Sequence, residues 1–513
     1  MQCNDKIIAG LVIAGLKGGT GKTVISLGIA AAWRDLDINI APFKKGPDYI
    51  DAGWLAQAAG RPCYNLDTFL CTPAQVRQSF LKNSSVADIA LIEGNRGLYD
   101  GIDTDGHTST AEIAKLLNLP VLLVLDCTKS TRTMAALLMG CIHFDPHVHI
   151  MGVILNQVAG KRHEGKVRDN IQRFCNIPVF GSVPKLDVDD FPERHMGLIP
   201  SAEHLLANQS IEAAAKVARS CIDLDALYQA CLRFSEEQLL FKRDRDDSAA
   251  TDNSDPLSDS NALDLRSCLP EESTDQTSAA CQIPVDYQAP LLHNYDRPVI
   301  GIIRDSAFQF YYPDNLEILE EKGAILKLIS PLAQNHLPEV DAIYMGGGFP
   351  ETHAAQLADN IKFKSELKAL AQKGLPIYAE CGGLIFLGTS LTLDGTVYPM
   401  TNILPLTFGL SKRPVGHGYT KVKVVNNNPF FEVGEVIRGH EFRYSHIIDI
   451  DYKGEDMAFS MVRGKGIIAK KDGFFKDNVF GTYTHILASC TKAWSDGIIR
   501  KALEYKHRKL SMQ

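Results

Sequence analysis

Short apolar runs alternate with longer amphipathic stretches through most of the chain. In the first half these runs are residues 7–16, 38–43, 89–93, 120–126, 149–156 and 179–183. In the second half they are residues 299–304, 326–330, 342–345, 376–379, 420–425 and 480–484. Runs that are apolar on both faces and separated by helices are typical of parallel sheets covered on both sides. The pattern predicts two α/β domains, at residues 1–233 and 297–513.

A polar segment, residues 234–296, interrupts this pattern between the two domains. Its central part, residues 243–282, is rich in Asp, Ser, Thr and Ala and shows no periodicity of helix or strand. A segment of such low hydrophobicity buries too little apolar surface to offset the entropy lost on ordering it. We therefore expect residues 234–296 to be a disordered linker.

Composition narrows the class of protein. The chain has 513 residues, which is more than a single hydrophobic core usually contains. Its net charge is −8 and it has no basic tract, which argues against nucleic acid as a partner. Residues 1–16 lack the layout of a signal peptide and the run 7–16 is too short to span a bilayer, so we expect a cytoplasmic protein with no membrane partner. Twelve cysteines without a CxxC pair predict neither a disulfide framework nor a zinc site.

Residues 17–23 read Lys-Gly-Gly-Thr-Gly-Lys-Thr and lie between an apolar run and an amphipathic stretch. That order predicts a strand, a glycine-rich turn and a helix, in which backbone N–H groups wrap a polyphosphate. The turn consists of Gly18, Gly19, Thr20 and Gly21. Lys22 is expected to reach the terminal phosphates and Thr23 to hold Mg²⁺. The sequence therefore predicts binding of a nucleoside triphosphate.

One lysine, Lys17, precedes the paired glycines, and Leu16 occupies the place where the usual phosphate loop has its first glycine. In this detail the loop resembles that of chromosome-partitioning ATPases and of related amide-forming synthetases. The resemblance implies that Lys17 contacts nucleotide, often across a dimer. We accordingly expect a homodimer.

Acidic residues follow the second and third apolar runs, at the carboxyl edge of the first sheet where the phosphate loop lies. They are Asp48, Asp51, Glu93 and Asp100, and Lys44 precedes them. Carboxylates beside a triphosphate are costly unless a cation neutralises them, which predicts that Asp48 and Glu93 join Thr23 in holding Mg²⁺. The alternative for all four acids is that they are loop residues without chemical function.

Two further polar features have competing interpretations. Asn156 ends a predicted strand and either hydrogen-bonds an adenine edge or caps the next helix. His143, His147 and His149 look like metal ligands, but they lead into a strand, where alternate residues face opposite ways. Asn156 is kept as a candidate nucleotide ligand, and we expect no metal at the histidines.

A cysteine in the second domain stands where a strand turns sharply into a helix. Cys381 follows the run 376–379 and precedes two glycines, as in the nucleophile elbow of hydrolases. The helix N-terminus favours a thiolate, and the Gly382 N–H faces an incoming oxyanion. Gly347, in a second glycine turn, is the other candidate oxyanion donor, and His485, at the end of the last predicted strand, is the candidate base. Together they predict a cysteine nucleophile.

Taken together, these motifs make the chain resemble the cobyrinic acid a,c-diamide synthases and their close relatives. The resemblance covers nearly the whole chain, through residues 17–23, 44–51, 93–101, 304–315, 346–351, 380–383 and 439–445. It implies a dethiobiotin-synthetase-like P-loop domain followed by a class I glutamine amidotransferase-like α/β domain. It also implies that ATP and ammonia from glutamine convert the a and c acetates of cobyrinic acid, a tetrapyrrole polycarboxylate, into amides through acyl phosphates.

The resemblance assigns roles to the candidate residues. Cys381 and His485 release ammonia, whereas Lys44, Asp48 and Glu93 act with MgATP on the acceptor carboxylate. The acceptor is expected to lie against Tyr49, Ile50, Asp51 and Asp100, with the Tyr49 ring as a flat face for the macrocycle. Triad-type glutaminases have an acid two residues after the histidine, where this chain has Leu487, so a Cys–His dyad is implied.

Two alternatives stay open at this point. The same chemistry on siroheme or nickel-sirohydrochlorin fits the residues equally well, because all these macrocycles are flat polyanions. A partitioning-type nucleotide switch with a C-terminal binding module is the alternative from another class. Cys381 and His485 disfavour the switch, since it needs no nucleophile at an elbow.

Overall fold

The computed structural model describes residues 8–186, 207–251 and 297–511, and the first of its three sheets contains seven parallel strands. In chain order the strands are β1 (Gly10–Gly15), β2 (Ile40–Lys45), β3 (Tyr64–Leu66), β4 (Ile89–Glu93), β5 (Val121–Asp126), β6 (Ile150–Val158) and β7 (Val179–Pro184). Their order across the sheet is β3-β2-β4-β1-β5-β6-β7. The six predicted strands are present, and β3, only three residues long, was missed.

Helices cover both faces of this sheet, as its doubly apolar strands require. They are α1 (Lys22–Arg34), α2 (Tyr49–Ala59), α3 (Pro73–Ser84), α4 (Thr110–Leu117), α5 (Arg132–Phe144), α6 (Lys161–Phe174), α7 (Ala207–Cys221) and α8 (Leu224–Thr251). Leu11 and Ile13 of β1 pack into one core with α1, whereas Val12 and Ala14 pack into the core on the opposite face. This burial on both faces fixes the carboxyl ends of the strands, where the phosphate loop begins.

Helix α8 extends into the segment for which the sequence predicted no regular structure. Residues 234–251 are helical because they continue a helix that begins at Leu224. In the first part of that helix, the buried side chains of Leu227 and Cys231 recur at helical spacing and anchor α8 to the core of the first domain. Residues 252–296 lie outside the described residues, so the linker there stays a prediction.

The second domain is built on a nine-stranded sheet of order β16-β15-β18-β19-β20-β11-β10-β8-β9. These strands are β8 (Val299–Ile303), β9 (Ile325–Ile329), β10 (Ala342–Met345), β11 (Ile377–Glu380), β15 (Gly416–Val424), β16 (Val436–Arg443), β18 (Met457–Arg463), β19 (Lys471–Lys476) and β20 (Val479–Thr482). The part from β9 to β20 is parallel, and the part from β19 to β16 is antiparallel. The predicted α/β class is therefore confirmed for both domains.

A small sheet and five helices complete the second domain as described. The sheet has the order β13-β12-β14-β17, with β12 (Ser390–Leu393), β13 (Thr396–Pro399), β14 (Leu406–Leu410) and β17 (Ser445–Ile450). The helices are α9 (Pro313–Glu321), α10 (Ala354–Asp359), α11 (Ile361–Gln372), α12 (Gly382–Leu387) and α13 (Lys492–Ser511). In the described parts of the chain, no helix has the length and apolar character needed to cross a membrane.

The two domains meet along the carboxyl edges of their sheets. The Tyr419 hydroxyl donates to Asp67 at 2.5 Å, and the Tyr64 hydroxyl donates to Glu317 at the same distance. Tyr312 of the second domain is fully buried in a core of the first. Polar and aromatic groups from both domains therefore form this interface.

A disulfide joins the domains, between Cys71 before α3 and Cys490 before α13. The sequence predicted no disulfide framework, and that prediction is wrong for this pair. The two residues are 419 positions apart, and only the docking of the domains brings their Cα atoms to 5.0 Å. Seven further cysteines among the described residues are free thiols.

Candidate active site

The phosphate loop follows β1 directly and turns into α1 through two glycines with left-handed backbone. Gly19 has φ 73° and Gly21 has φ 87°, conformations that glycine adopts without strain. A Cβ on Gly21 would lie 2.2 Å from Asn156 Nδ2, and that nitrogen donates to the Thr20 carbonyl at 2.8 Å. Asn156 therefore stabilises the phosphate loop through this hydrogen bond. It does not cap α6, where Gly160 is the N-cap, so the capping alternative is wrong.

The two lysines of the loop differ in their surroundings. Lys22 is buried, and its Nζ donates to the Lys17 carbonyl at 3.2 Å across the turn. Burial lowers the pKa of Lys22, and the charge of Glu93 offsets part of that effect. Lys17 is exposed, with its Nζ 3.8 Å from Asp126. Its contact with nucleotide, and the homodimer, stay predictions.

Lys44 lies between two of the predicted acids. Its Nζ is 2.6 Å from Asp51 Oδ2 and 2.9 Å from Glu93 Oε1, and all but 2% of its surface is buried. Burial acts to lower the pKa of Lys44, but the two carboxylates outweigh it and raise that pKa. The Thr23 hydroxyl also donates to Glu93 Oε1, at 2.7 Å. The structure thus brings Thr23, Lys44, Asp51 and Glu93 together beside the phosphate loop.

The residues at this edge fit a Mg²⁺ ion. Glu93 Oε2 is buried and has no hydrogen-bond partner among the described residues, and the Thr23 hydroxyl is bonded to the other oxygen of the same carboxylate. Mg²⁺ typically takes one or two protein carboxylates and completes its shell with phosphate and water. Asp48 Oδ1 accepts the N–H groups of Ile50 and Asp51 as the N-cap of α2, so metal binding by Asp48 stays a prediction.

Among residues 8–186, 207–251 and 297–511, no group of three or more His, Cys, Asp or Glu side chains is placed to hold a metal. For His143, His147 and His149, the expected absence of a metal stays a prediction. His143 lies in α5, and the His149 ring packs against Phe234 at 4.7 Å. These histidines are structural or surface residues.

Cys381 occupies a strained turn between β11 and α12. Its backbone has φ 47° and ψ −96°, values that cost energy for a side-chain-bearing residue and are typical of functional sites. Its N–H donates to the Thr482 carbonyl at 2.8 Å, and its Sγ donates to the Phe442 carbonyl at 3.9 Å. Gly382 is the first residue of α12, so its N–H lacks an intrahelical acceptor. The geometry is that of a nucleophile elbow, and Gly382 as oxyanion donor stays a prediction.

His485 is fully buried and is oriented by Glu380, the residue before the nucleophile. Its Nδ1–H donates to Glu380 Oε2 at 3.1 Å, and Glu380 Oε1 accepts the Ile486 N–H at 3.3 Å. Burial lowers the pKa of His485, but the hydrogen bonds and charges of Cys381 and Glu380 outweigh it and raise the pKa to about 10. The implied Cys–His dyad is therefore wrong, because the site contains a third, acidic member.

Glu380 was not predicted from the sequence, because the acid was expected two residues after His485, on the same segment. Strands β11 and β20 pair in parallel with Glu380 opposite Thr482, and that register places the carboxylate beside the turn to His485. The sequence did contain a sign of this role, because Glu380 directly precedes Cys381 at the end of a predicted strand. A charged residue at the end of a fully buried strand needs a partner, and the predicted histidine is the nearest candidate.

Asp472 of β19 holds the segment that carries His485. It is fully buried and accepts hydrogen bonds from the Thr482 hydroxyl, the Tyr483 N–H and both the N–H and hydroxyl of Thr484, at 2.7–3.0 Å. These bonds satisfy a charge that would otherwise be costly to bury. Asp472 is thus a positioning residue that the sequence analysis did not find.

The glycine turn after β10 packs against the histidine. A Cβ on Gly347 would lie 2.6 Å from His485 Cε1, so a larger residue there would displace the ring. The Gly347 carbonyl accepts the Phe310 N–H at 3.0 Å. Gly347 as an oxyanion donor stays a prediction, but its proximity to the histidine follows from the structure.

We expect Glu380→Gln to lower the rate of glutamine hydrolysis by about 10²- to 10⁴-fold, the scale seen when an orienting carboxylate is replaced by an amide. The loss should fall on kcat, with the KM for glutamine nearly unchanged. Because an anion is removed, the pKa of His485 should fall, and the pH profile of hydrolysis should shift with it. Glutaminase assays across pH test this, and a profile identical to that of wild type would contradict the role of Glu380.

A cavity of about 420 Å³ lies between the domains and is lined by residues of both. Its first-domain wall includes Asp48, Tyr49, Ile50 and Asp100, and His485 belongs to its second-domain wall. Asp51 does not line the cavity, and its carboxylate is paired with Lys44. Four of the predicted acid or acceptor residues thus share one cavity with the histidine.

The Tyr49 ring stands at the junction of the two sites. It stacks on Phe310 with ring centroids 5.3 Å apart and lies 5.4 Å from the His485 ring and 5.5 Å from the His440 ring. His440 stacks on His485 at 4.9 Å, and burial together with the nearby histidines keeps the pKa of His440 well below its usual value. The rings of Tyr49 and His440 therefore lie beside His485, and all three residues line the interdomain cavity.

Comparison with known proteins agrees with this arrangement. Residues 11–199 match the family model of the CobQ/CobB/MinD/ParA nucleotide binding domain, and residues 299–492 match that of the CobB/CobQ-like glutamine amidotransferase domain. Similar proteins include the cobyrinate a,c-diamide synthase of Magnetococcus marinus, which is 37% identical over 96% of each chain. The enzymes of that name from Methanosphaera stadtmanae and Salmonella typhimurium are 35% and 34% identical over 97% and 93% of this chain, and over 99% and 94% of their own. The chain belongs to the cobyrinate a,c-diamide synthase family of glutamine-hydrolysing amide ligases.

Proposed function

We propose that this chain converts the a and c acetate carboxylates of cobyrinic acid into amides, with glutamine as nitrogen donor and MgATP as the source of energy. The observation that carries the proposal is the shared interdomain cavity, which has residues of the phosphate side on one wall and His485 on the other. In this proposal, ammonia released at Cys381 enters the cavity on the side of His485. The names of the relatives support the choice of acceptor.

In the glutaminase half-reaction, the Cys381 sulfur attacks the side-chain carbonyl carbon of glutamine. His485 holds the proton taken from the thiol and gives it to the departing nitrogen, so that ammonia leaves and a thioester remains. Water then cleaves the thioester to glutamate, with His485 as the base. Glu380 keeps Nδ1 protonated, which directs Nε2 to the reacting atoms.

In the synthetase half-reaction, a carboxylate oxygen of the acceptor attacks the γ-phosphorus of ATP and ADP leaves. Ammonia then attacks the acyl carbon and expels phosphate, so the amide forms at the expense of the phosphoric anhydride. Lys22 neutralises charge on the phosphates, and Lys44 keeps Asp51 and Glu93 in place. Mg²⁺ held by Thr23 and Glu93 would neutralise the charge that develops on the transferred group.

Siroheme and nickel-sirohydrochlorin remain the alternative acceptors, because they carry the same acetate groups. The nucleotide-switch alternative is disfavoured by the strained Cys381 and by the buried His485–Glu380 pair, which serve no purpose in a switch.

The test is an assay with MgATP and glutamine on a panel of cobyrinic acid, siroheme and nickel-sirohydrochlorin. We expect conversion of cobyrinic acid first to a monoamide and then to a diamide, identified by mass spectrometry, with ADP and glutamate formed alongside. Faster amidation of either other macrocycle would reassign the acceptor. ATP hydrolysis without any amide product would contradict the proposal.

A further inference from the structure

We propose that Lys45 of the first domain and Arg463 of the second bind those carboxylates of the acceptor that are not amidated. The inference rests on the proposed function and deepens it, since it assigns the residues that recognise a polycarboxylate. It also means that residues of both domains form the acceptor site.

Lys45 is a buried cation that lacks a partner. It ends β2, is 5% exposed and lines the interdomain cavity, and its Nζ has no hydrogen bond or ion pair with any described residue. The carboxylate whose charge acts on Lys45 is that of Asp67, which already accepts hydrogen bonds from the Tyr419 hydroxyl and from the N–H groups of Phe69 and Leu70. Burial lowers the pKa of Lys45. An anion in the cavity would relieve this cost.

Lys44, the residue before Lys45, differs from it in having partners for its charge. Lys44 and Lys45 point to opposite faces of β2, as successive residues of a strand do. Lys44 forms ion pairs with Asp51 and Glu93, so its charge is neutralised within the protein. The charge of Lys45 faces the cavity, where the acceptor is proposed to lie.

Arg463 brings a second cation from the opposite wall. It ends β18, its guanidinium lies 5.6 Å from the centroid of the Phe69 ring, and it lines the same cavity without an ion pair to any described residue. Arg96 and His417 line the cavity as well. Guanidinium groups bind carboxylates in bidentate fashion and are well suited to this role.

The acidic residues of the cavity are held by backbone N–H groups and form no ion pair with Lys45 or Arg463. Asp48 caps α2, Asp100 accepts the Gly97 N–H at 2.9 Å, and Glu441 accepts the N–H groups of Lys465 and Gly466. Lys45 and Arg463 thus bring positive charges to the cavity that no described carboxylate pairs. A ligand with several carboxylates, one presented to ATP and others bound by Lys45 and Arg463, matches that charge.

The first experiment measures the KM for cobyrinic acid in the ammonium-driven reaction of Lys45→Met and Arg463→Gln. Each loss of a charged hydrogen bond should raise that KM about 10- to 100-fold, with the KM for ATP and the acceptor-free glutaminase rate nearly unchanged. Lys45→Arg should keep most of the affinity, because it keeps the charge. Methionine matches the length of lysine, so Lys45→Met removes a buried charge without leaving a large cavity.

Arg438→Gln is the matched control. Its guanidinium lies 5.8 Å from the same Phe69 ring, but Arg438 does not line the interdomain cavity. Its KM for cobyrinic acid should equal that of wild type. An unchanged KM in both Lys45→Met and Arg463→Gln, in an enzyme whose wild type amidates cobyrinic acid, would overturn the inference.

Binding of uroporphyrin, a metal-free polycarboxylate porphyrin, separates this inference from the proposed function. Wild type should bind it with a Kd that rises with salt, and the Lys45→Met and Arg463→Gln variants should bind it more weakly and with a smaller salt effect. If this holds while no macrocycle is amidated, the proposed function is wrong and the carboxylate site stands. Equal binding by the wild type and both variants would overturn the site.

Discussion

Replacing Cys381 with serine is expected to abolish glutamine-dependent amidation and to leave ammonium-dependent amidation near the wild-type rate. In the proposed mechanism the sulfur is the nucleophile that releases ammonia, whereas the phosphate loop, Lys44 and Glu93 lie in the other domain. Serine fits the strained turn because it preserves size, but its hydroxyl is a far weaker nucleophile than a thiolate. Steady-state rates of amide formation with glutamine and with an ammonium salt test this division.

The control is Cys221→Ser, which changes a free, partly buried thiol at the end of α7. It should retain both activities, which excludes a general effect of losing a thiol. If Cys381→Ser remains folded and yet loses the ammonium-driven reaction, the two half-reactions are not divided between the domains as proposed.

Glu93→Gln is expected to lower amide formation about 10- to 1000-fold with either nitrogen source, the scale of a lost charged contact in a transition state. The change removes the carboxylate that accepts from Thr23 and Lys44 and whose second oxygen is free for Mg²⁺. Lys44 keeps its bond to Asp51, so folding should survive. The measurements are ADP formation, the Mg²⁺ concentration at half-maximal rate, and acceptor-free glutaminase activity, which should be unchanged.

Glu164→Gln is the matched control for this variant. Glu164 also bonds a basic residue, Arg168, but as a half-buried i,i+4 pair along α6, which contributes little. It should behave as wild type. Wild-type rates and wild-type Mg²⁺ dependence in Glu93→Gln would remove this site from the proposed mechanism.

The sequence predicted the parallel cores well because their strands are continuous apolar runs. Strand β4, at Ile89–Glu93, was predicted to the residue, since both of its faces are buried. The antiparallel strands of the second domain were mostly missed, because one face meets solvent. In β16 exposed Val436 and Arg438 alternate with buried Ile437 and Gly439, a pattern that gives no apolar run.

The parts of the site that escaped prediction depend on register and docking. Glu380 reaches His485 only because β11 and β20 pair as they do, and Cys71 meets Cys490 only because the domains dock. The sequence shows Lys45 directly after Lys44, but it does not show that Lys45 lacks an ion pair. Which of two successive lysines stays unpaired depends on the side chains that cover each face of the strand, and the sequence does not give those.

The most direct test of the central claim follows labelled atoms through the whole reaction. The wild-type enzyme would be incubated with MgATP, glutamine labelled with ¹⁵N in the side-chain amide, and cobyrinic acid labelled with ¹⁸O in its carboxylates. The account predicts ¹⁵N in each new amide and one ¹⁸O atom in the inorganic phosphate for every amide formed, because the carboxylate oxygen leaves with the phosphoryl group. Phosphate free of ¹⁸O, or amides free of ¹⁵N, would contradict it.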